Sequence, residues 1–352
     1  MWRQSVWLTE TLAPYVGKGP FRIEHILGGF CFDNIIGAAD IEELRDEYSS
    51  VQMCFNYVSC LRLVVQRWTS LWMQTDLLHR LSSNHREMDK LLASLHTYVY
   101  RAQEMRRNKL ANFTSQQTKN NVAGDNEKLK PGLFDNLINS KLSKKEISEE
   151  IAIMFAASDE CGLAIFFTLK LLAMYPSVQD KAFEELQNVF GDSDRSFVKE
   201  DLTRTPYLDM VIKESLRIFS IVPFVLRKAH TDTKLPSGRV IPAGAGIGIA
   251  IYSVLRDPKY WGPDADHFDP ERFLPERLAT VPDIAYKPFS YGPRSCPGYK
   301  FAQNIIKIGL CSILRKYKVV GTPAAGPVPC IATKYEIAQR PVDDHIELVS
   351  RS

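Results

Sequence analysis

The chain has 352 residues, enough to bury a sizeable core in one large domain or in two to three smaller ones. Hydrophobic residues make up 45% and charged residues 24%, which excludes wholesale disorder, and 19 Gly with 20 Pro exclude a collagen-like fibre. The net charge of +3 gives no reason to expect nucleic-acid binding. The seven cysteines are scattered without a CxxC pair, so a reducing compartment fits better than a zinc ribbon or a disulfide framework.

The N-terminal residues contain no apolar run that would form a signal peptide or a membrane span. The most apolar stretch is 151–176, and Asp159, Glu160 and Lys170 interrupt it. We therefore predict a buried helix there, and Ser143-x-x-Glu146 is typical of its capped N-terminus.

Apolar residues at mixed three and four spacing predict helices over 51–72 and 87–107. The polar residues 109–132 predict a flexible surface loop. Helices are also predicted over 143–174, 178–189, 205–219 and 298–317, short strands and turns over 223–253, and a hairpin over 335–350. The fold class is mainly α with a small β region, predicted as a single domain over 1–352.

The most informative segment is 289–298, which reads FSYGPRSCPG and lies just before a predicted helix. A Cys at a helix start, with Arg294 two residues away, is favoured as thiolate over thiol. Gly292 and Gly298 let the backbone approach a flat group closely, and Phe289 would shield the sulfur. Cys296 is thus predicted to be a soft anionic metal ligand with one open face; for a lone Cys, an inert buried thiol is the alternative.

This segment resembles the haem-binding loop of the cytochrome P450 family, F-x-x-G-x-R-x-C-x-G. The resemblance implies that Cys296 is the axial ligand of a haem b iron. It also implies that Phe289, Gly292, Arg294 and Gly298 form the haem surroundings.

Two further motifs agree with the resemblance. Glu214-Ser-Leu-Arg217 is similar to the family's E-x-x-R, and Pro270-Glu271-Arg272-Phe273 is similar to its P-E-R-F element. The resemblance implies a structural triad of Glu214, Arg217 and Arg272 that locks the loop carrying Cys296. It also places Arg227 on a haem propionate, with an ordinary surface Arg as the alternative.

Residues 155–161, FAASDEC, resemble the family's oxygen-activation segment, in which an acid is followed by an alcohol. Ala157 stands where the family usually has Gly beside the haem, Asp159 keeps the acid, and Glu160 replaces the usual Thr. Asp159 and Glu160 are therefore the implied catalytic residues for proton transfer. Because the alcohol is missing, this departure puts oxygen activation in question while leaving haem binding untouched.

The implied function is a haem-thiolate monooxygenase that inserts one oxygen atom from dioxygen into a hydrophobic lipid, hormone or xenobiotic. Electrons would come from NADPH through NADPH-cytochrome P450 reductase. A basic face could serve its docking, with an ordinary solvated helix face as the alternative for most of these charges: Arg294, Lys300, Lys307, Arg315, Lys316 and Lys318. Segments such as Arg256-Asp257-Pro258 resemble the insect-type branch related to fatty-acid hydroxylases. A haem-dependent isomerase or dehydratase of oxidised lipids, working without external electrons, is the alternative that Glu160 admits.

Residue 1 is expected to correspond to a point well inside the family's fold, so that the N-terminal part and its membrane anchor lie outside this chain. The resemblance then implies the cytosolic face of the endoplasmic reticulum membrane, the microsomal fraction, and peripheral contact with the membrane surface. An inactive, truncated haem-binding chain is the remaining alternative.

Overall fold

The computed structural model describes residues 2–119, 132–195 and 197–351. The chain divides into two compact units. The first comprises Met1–Pro14 and Arg22–Leu163, and the second comprises Tyr15–Phe21 and Ala164–Ser352.

Helices make up most of the described residues. In chain order they are α1 (Trp2–Leu12), α2 (Glu24–Ala38), α3 (Leu44–Glu47), α4 (Ser50–Thr69), α5 (Asp76–Leu81), α6 (Ser83–Lys119), α7 (Leu133–Ile138), α8 (Lys144–Met174), α9 (Pro176–Phe190), α10 (Lys199–Thr203), α11 (Pro206–Ile218), α12 (Ile251–Val254), α13 (Pro258–Trp261), α14 (Pro275–Leu278) and α15 (Tyr299–Lys316). The boundary between the two units falls within α8, after Leu163.

The strands are short and form small sheets. They are β1 (Phe21–Arg22), β2 (Val225–Lys228), β3 (Thr233–Lys234), β4 (Val240–Ile241), β5 (Gly246–Ile249), β6 (Tyr317–Val320), β7 (Thr333–Glu336), β8 (Ala338–Pro341) and β9 (His345–Ser350). In the second unit, β2 pairs antiparallel with β5, β3 with β4, β6 with β9, and β7 with β8. The predicted class, mainly α with a small β region, is confirmed.

Helix α8 begins where its capping signature predicts. The backbone N–H of Ser143 donates to Glu146 Oε2 at 2.8 Å, and the N–H of Glu146 donates to Ser143 Oγ at 3.3 Å. This reciprocal pair satisfies two of the N–H groups that a helix start leaves without partners. The proline at the first position of α9, Pro176, fits because it has no N–H to satisfy.

The core of the first unit lies between α2, α6 and the first half of α8. The rings of Phe32 and Phe155 stack at a centroid distance of 5.0 Å, and Tyr98 contacts both rings. A Cβ on Gly162 would lie 3.2 Å from the backbone nitrogen of Gly28. Glycine is therefore what lets α8 and α2 approach each other so closely.

The core of the second unit is centred on the second half of α8 and on α15. Phe167 stacks face to face on Phe219, with ring centroids 4.7 Å apart. The fully buried Gln179 donates through Nε2 to the carbonyl oxygens of Leu172 and Val319, and accepts from the N–H of Val319. Its amide is thus satisfied at both atoms, as a buried polar group requires.

Among the described residues, α8 is the one helix long and apolar enough to cross a membrane. Within its most apolar window, 67% of the residues are buried. The core helix of a globular protein has these properties, in agreement with the prediction of a buried helix.

Two predictions from the sequence were wrong in part. The loop expected over 109–132 is helical through Lys119, because α6 continues that far. Residues 109–119 contain no Pro or Gly to end the helix, so it propagates through their polar sequence. The rest of the predicted loop, 120–131, lies outside the described residues.

The hairpin predicted over 335–350 has different partners. β7 pairs with β8, with Glu336 opposite Ala338 and Ile337 at a φ of +67° in the turn. β9 instead pairs with β6, with Val319 opposite Leu348. Alternation of apolar and polar residues indicates a strand but does not indicate which strand it pairs with. Here β6, which directly follows α15, is the strand that pairs with β9.

Candidate active site

The segment around Cys296 forms a tight loop in the second unit. The N–H of Cys296 donates to the carbonyl oxygen of Phe289 at 3.0 Å, which closes the loop. Gly292 has a φ of +82°, a conformation that glycine adopts at little cost. The Sγ of Cys296 lies 4.0 Å from the position of a Cβ on Gly298, so a side chain there would stand against the sulfur. The thiol is half-buried, and α15 begins three residues later.

One arginine contacts the backbone of this loop, and a second arginine belongs to the loop itself. Nη2 of Arg227, on β2, donates to the carbonyl oxygen of Arg294 at 3.4 Å. Arg227 is half-buried and Arg294 is exposed. A planar guanidinium matches a carboxylate, so the two positions suit the two carboxylates of a haem. Nothing in the structure assigns that role to either residue, and the propionate contacts stay a prediction.

Large apolar side chains are exposed on the segments around these arginines. Phe224 is 54% and Leu226 67% exposed beside Arg227, and Tyr291 is 66% exposed within the loop. Large exposed apolar surfaces commonly mark a binding site. A half-buried thiol, two guanidinium groups and apolar surface are together what a haem requires, so the residues present fit that group.

The predicted triad is assembled in the second unit. Glu214 and Arg217 are completely buried, with bidentate contacts of 2.7 Å from Nε and 2.8 Å from Nη2 to the carboxylate. Nε of Arg272 lies 3.7 Å from Oε1 of Glu214, within ion-pair distance. The N–H of Asp269 also donates to that oxygen at 3.0 Å. The carboxylate therefore lies between two guanidiniums, as the E-x-x-R and P-E-R-F motifs imply.

Arg217 uses all of its hydrogen-bonding capacity. Besides its two bonds to Glu214, Nη1 and Nη2 donate to three backbone carbonyls, those of Leu255, Ala265 and His267, at 2.6–3.1 Å. A guanidinium has five N–H donors, and all five are satisfied. Arg217 thus ties α11 to the loops that follow α12 and α13.

Arg272 has a partner that the motifs do not reveal. Its Nη2 donates to the carboxylate and to the backbone oxygen of Asp264, both at 2.9 Å, and Nη1 donates to the carbonyl of Trp261. This contact lowers the pKa of Asp264, chiefly through the hydrogen bond from Arg272. Asp264 lies eight residues before Arg272 in an irregular segment, so no helical or strand spacing could have indicated it.

The acidic residues of α8 are described within the first unit. Asp159 is 3% exposed, Glu160 is half-buried, and Ala157 is exposed. Tyr57 of α4 lies close enough for their charges to act on it. Its pKa is raised by burial first, and then by the negative charges of Glu160 and Asp159. Tyr57 brings a hydroxyl near the acid pair, and the sequence gives no signal for it because α4 and α8 lie far apart along the chain.

Asp159 lies near three buried cysteines. The pKa of Cys31 is raised well above its ordinary value, by burial first and then by Cys161, Cys54 and Asp159. Ser158 Oγ donates to the sulfur of Cys54 at 3.9 Å. A thiol that burial holds protonated is inert, so Cys31 is a packing residue of the first unit.

The basic face predicted near Cys296 is smaller than expected. Lys307 is 4% exposed and pairs with Asp209 at 2.7 Å, because it lies on the inner side of α15. The guanidinium of Arg315 stacks over the rings of Phe190 and Phe197. Lys307 is thus buried inside the second unit, and Arg315 is half-buried against these two rings.

Comparisons with known proteins agree with these motifs. The family model for Cytochrome P450 matches residues 4–348. A crystal structure of a cytochrome P450, CYP102L1, aligns with a TM-score of 0.73 over 99% of this chain and 73% of that chain, at 21% identity. The chain belongs to the cytochrome P450 family.

Similar curated proteins include several from insects. "Cytochrome P450 4c3" of Drosophila melanogaster is 31% identical over 90% of this chain and 61% of its own length. "Probable cytochrome P450 313a4" of the same organism is 38% identical over 53% of this chain and 39% of its own length. "Cytochrome P450 4V2" of Pongo abelii is 34% identical over 79% of this chain and 52% of its own length. The matched part of this chain thus spans roughly 40–60% of these relatives.

Proposed function

We propose that this chain carries the haem-thiolate centre of a monooxygenase that inserts one oxygen atom from dioxygen into a hydrophobic small molecule. The observation that carries the proposal is the loop around Cys296, whose sulfur is half-buried and whose backbone accepts a hydrogen bond from Arg227 at Arg294. Family membership supports it. The proposed cofactor is haem b, with the Cys296 thiolate as iron ligand.

Bound haem supplies the iron at which dioxygen is reduced and cleaved, and a thiolate ligand favours that cleavage by donating electron density. The chain's own residues hold and orient it. Phe289, Gly292 and Gly298 fix the loop around the sulfur, and the two arginines offer donors to the propionates. The triad of Glu214, Arg217 and Arg272 would keep this half of the site rigid.

Proton delivery is assigned to Asp159, with Glu160 beside it in the position where the family has an alcohol. A carboxyl group can pass a proton to a reacting group, as an alcohol can. The hydroxyl of Tyr57 lies within the reach of both charges. Glu160 would thus act as a second acid in place of the usual alcohol.

The substrate class is a hydrophobic lipid, hormone or xenobiotic, and the resemblance to the fatty-acid-hydroxylase branch favours a fatty acid. Electrons would come from NADPH through NADPH-cytochrome P450 reductase. Of the predicted docking residues, Arg294 and Lys300 are exposed at the Cys296 side of α15. This surface is smaller than the one predicted, since Lys307 is buried and Arg315 is half-buried against the rings of Phe190 and Phe197.

We expect product formation from a fatty acid to require both NADPH and the reductase, and Asp159→Asn to lower it by about 10²-fold or more, the usual contribution of a positioned proton donor. The measurement is product formed per haem, with the reduced carbon monoxide spectrum recorded in parallel to show that haem content is unchanged. Asp46→Asn, which alters an exposed carboxylate of the first unit, is the matched control and should behave as the unchanged chain.

Turnover of an oxidised lipid in the absence of NADPH would contradict this proposal. It would favour the isomerase or dehydratase alternative, which the replacement of the alcohol by Glu160 admits. Haem binding with no turnover of either kind would instead favour an inactive haem-binding chain.

We further propose that the chain contacts the endoplasmic reticulum membrane through an apolar patch over residues 68–81 of the first unit. Its members are large apolar side chains close together in the chain, with exposures between 43% and 85%: Trp68, Leu71, Trp72, Leu77, Leu78 and Leu81. Tryptophan is enriched where a protein meets a lipid headgroup region, and the exposed Arg80 adds attraction to anionic lipid.

The double variant Leu71→Glu with Trp72→Glu should bind vesicles of phosphatidylcholine and phosphatidylserine roughly a hundredfold more weakly. Burying each side chain contributes about 1.5 kcal/mol or more, and 1.4 kcal/mol corresponds to a factor of ten. Co-sedimentation with the vesicles measures the effect. Leu142→Glu, a change at another exposed leucine of the first unit, is the control, and equal loss in both variants would exclude the patch as the contact.

A further inference from the structure

We propose that Tyr286 is a positioning residue that fastens the loop carrying Cys296 to the buried triad. Tyr286 begins the short stretch of chain that leads to Phe289, whose carbonyl oxygen closes the loop by accepting from the N–H of Cys296 at 3.0 Å. That loop is the proposed site of haem binding, so this role rests on the proposed function, whereas the contacts of Tyr286 do not depend on haem.

The hydroxyl of Tyr286 bonds to the helix that carries two members of the triad. It donates to the carbonyl oxygen of Lys213 at 3.1 Å, and Lys213 directly precedes Glu214 in α11. The pKa of Tyr286 is raised well above its ordinary value, by burial first and then by the negative charge of Glu214. The hydroxyl therefore keeps its proton at neutral pH and remains a donor to α11.

The ring of Tyr286 packs against the segment that carries the third member of the triad. Phe273 directly follows Arg272, and its ring meets that of Tyr286 edge to face, with centroids 4.8 Å apart. The ring of Trp261 lies edge-on to Tyr286 at 6.2 Å, and Nη1 of Arg272 donates to the carbonyl oxygen of Trp261. Edge-to-face pairs stabilise beyond the area they bury. The hydroxyl and the ring thus connect Tyr286 to both parts of the triad, α11 and the P-E-R-F segment.

The loop needs an anchor of this kind because its backbone is strained. Ser290 has a φ of +65°, a left-handed conformation that a residue with a Cβ adopts at a cost and keeps only where the surrounding structure holds it. The later end of the loop is continuous with α15, which begins at Tyr299. Near the earlier end, Lys287 pairs with Asp283, whose side chain is 88% exposed, so this pair contributes little. The contacts of Tyr286 are what hold the earlier end.

The first test is amide hydrogen exchange of the purified chain before haem is added, measured by mass spectrometry on peptides that cover 287–298. Tyr286→Phe removes the hydroxyl and keeps the ring. The loop amides, including that of Cys296, should then exchange about fivefold faster, in keeping with the loss of one hydrogen bond. Tyr286→Leu also removes the aromatic contacts and should raise the rate further. The paired strands β6 and β9 of the same unit are the internal reference and should exchange as in the unchanged chain.

The matched control is Tyr335→Phe, the same chemical change at a tyrosine of β7 that is 52% exposed. It should leave exchange of the loop unchanged. Unchanged exchange over 287–298 in Tyr286→Phe would overturn the proposal. Equal acceleration in the loop and in β6 and β9 would overturn it as well, because Tyr286 would then stabilise the second unit as a whole and not position the loop.

The second test is the absorption spectrum after haem is added. At equal haem content, reduced Tyr286→Phe exposed to carbon monoxide should show a weaker thiolate band and a stronger band typical of a neutral ligand, because a loosened loop holds the sulfur of Cys296 less firmly. An unchanged ratio of the two bands would contradict the positioning role. If the unchanged chain takes up no haem, the proposed function fails, and hydrogen exchange still decides whether Tyr286 fastens the loop.

Discussion

We expect Cys296→Ser to abolish the red-shifted absorption band that a thiolate-ligated haem gives when it is reduced and exposed to carbon monoxide. A serine hydroxyl is neutral and hard at neutral pH, and it cannot replace a soft anionic sulfur as iron ligand. The loop itself should persist, since its closing bond from the N–H of residue 296 to the carbonyl of Phe289 involves the backbone alone. We therefore expect the absorption band to disappear completely while the far-ultraviolet circular dichroism spectrum stays unchanged.

The matched control is Cys330→Ser, a change at an exposed free thiol of the same unit. It should keep the band at full intensity. A band that survives in Cys296→Ser would show that another residue ligates the iron, and it would remove the basis of the proposed function.

The second large effect is expected at the buried triad. Glu214→Gln should lower the free energy of unfolding by about 3–5 kcal/mol, because Arg217 and Arg272 then lose the charge that compensates them in a buried place. The free energy of unfolding of a typical domain is about 5–15 kcal/mol, so much of the stability of the second unit depends on this one carboxylate. Urea unfolding followed by circular dichroism measures the change directly.

Glu271→Gln is the control for this change, in the same P-E-R-F segment. Its carboxylate pairs with Lys181, and both side chains are about half exposed. An exposed pair of this kind contributes about 1 kcal/mol or less, so the control should unfold nearly as the unchanged chain does. Similar destabilisation in both variants would show that burial of the triad is not what makes Glu214 important.

The parts of the fold that the sequence predicts well depend on local rules. The capped start of α8 at Ser143 and its end before Pro176 follow from residues that act on their own helix. Spacing of three within α11 places Glu214 and Arg217 on one face, and the structure shows the bidentate pair. The loop carrying Cys296 is likewise continuous in the chain, so its residue types and spacing suffice to indicate it.

The parts that could not be predicted depend on contacts between distant residues. The charges of Glu160 and Asp159 on α8 raise the pKa of Tyr57 on α4, after burial, and no local pattern in the sequence marks that these residues lie near one another. The partner of β9 is β6 and not its neighbour in the chain, which alternation cannot reveal. Lysine is usually a surface residue, but Lys307 is buried because its ammonium group pairs with Asp209. The roles of Arg227, Asp159 and Glu160 stay predictions.

The most direct test of the haem-thiolate centre is the absorption spectrum of the purified 352-residue chain, reduced and then exposed to carbon monoxide. The red-shifted band of thiolate ligation, at one haem per chain, is the result expected if Cys296 ligates the iron. A spectrum without a haem band, or with the band typical of a neutral ligand, would contradict the central claim.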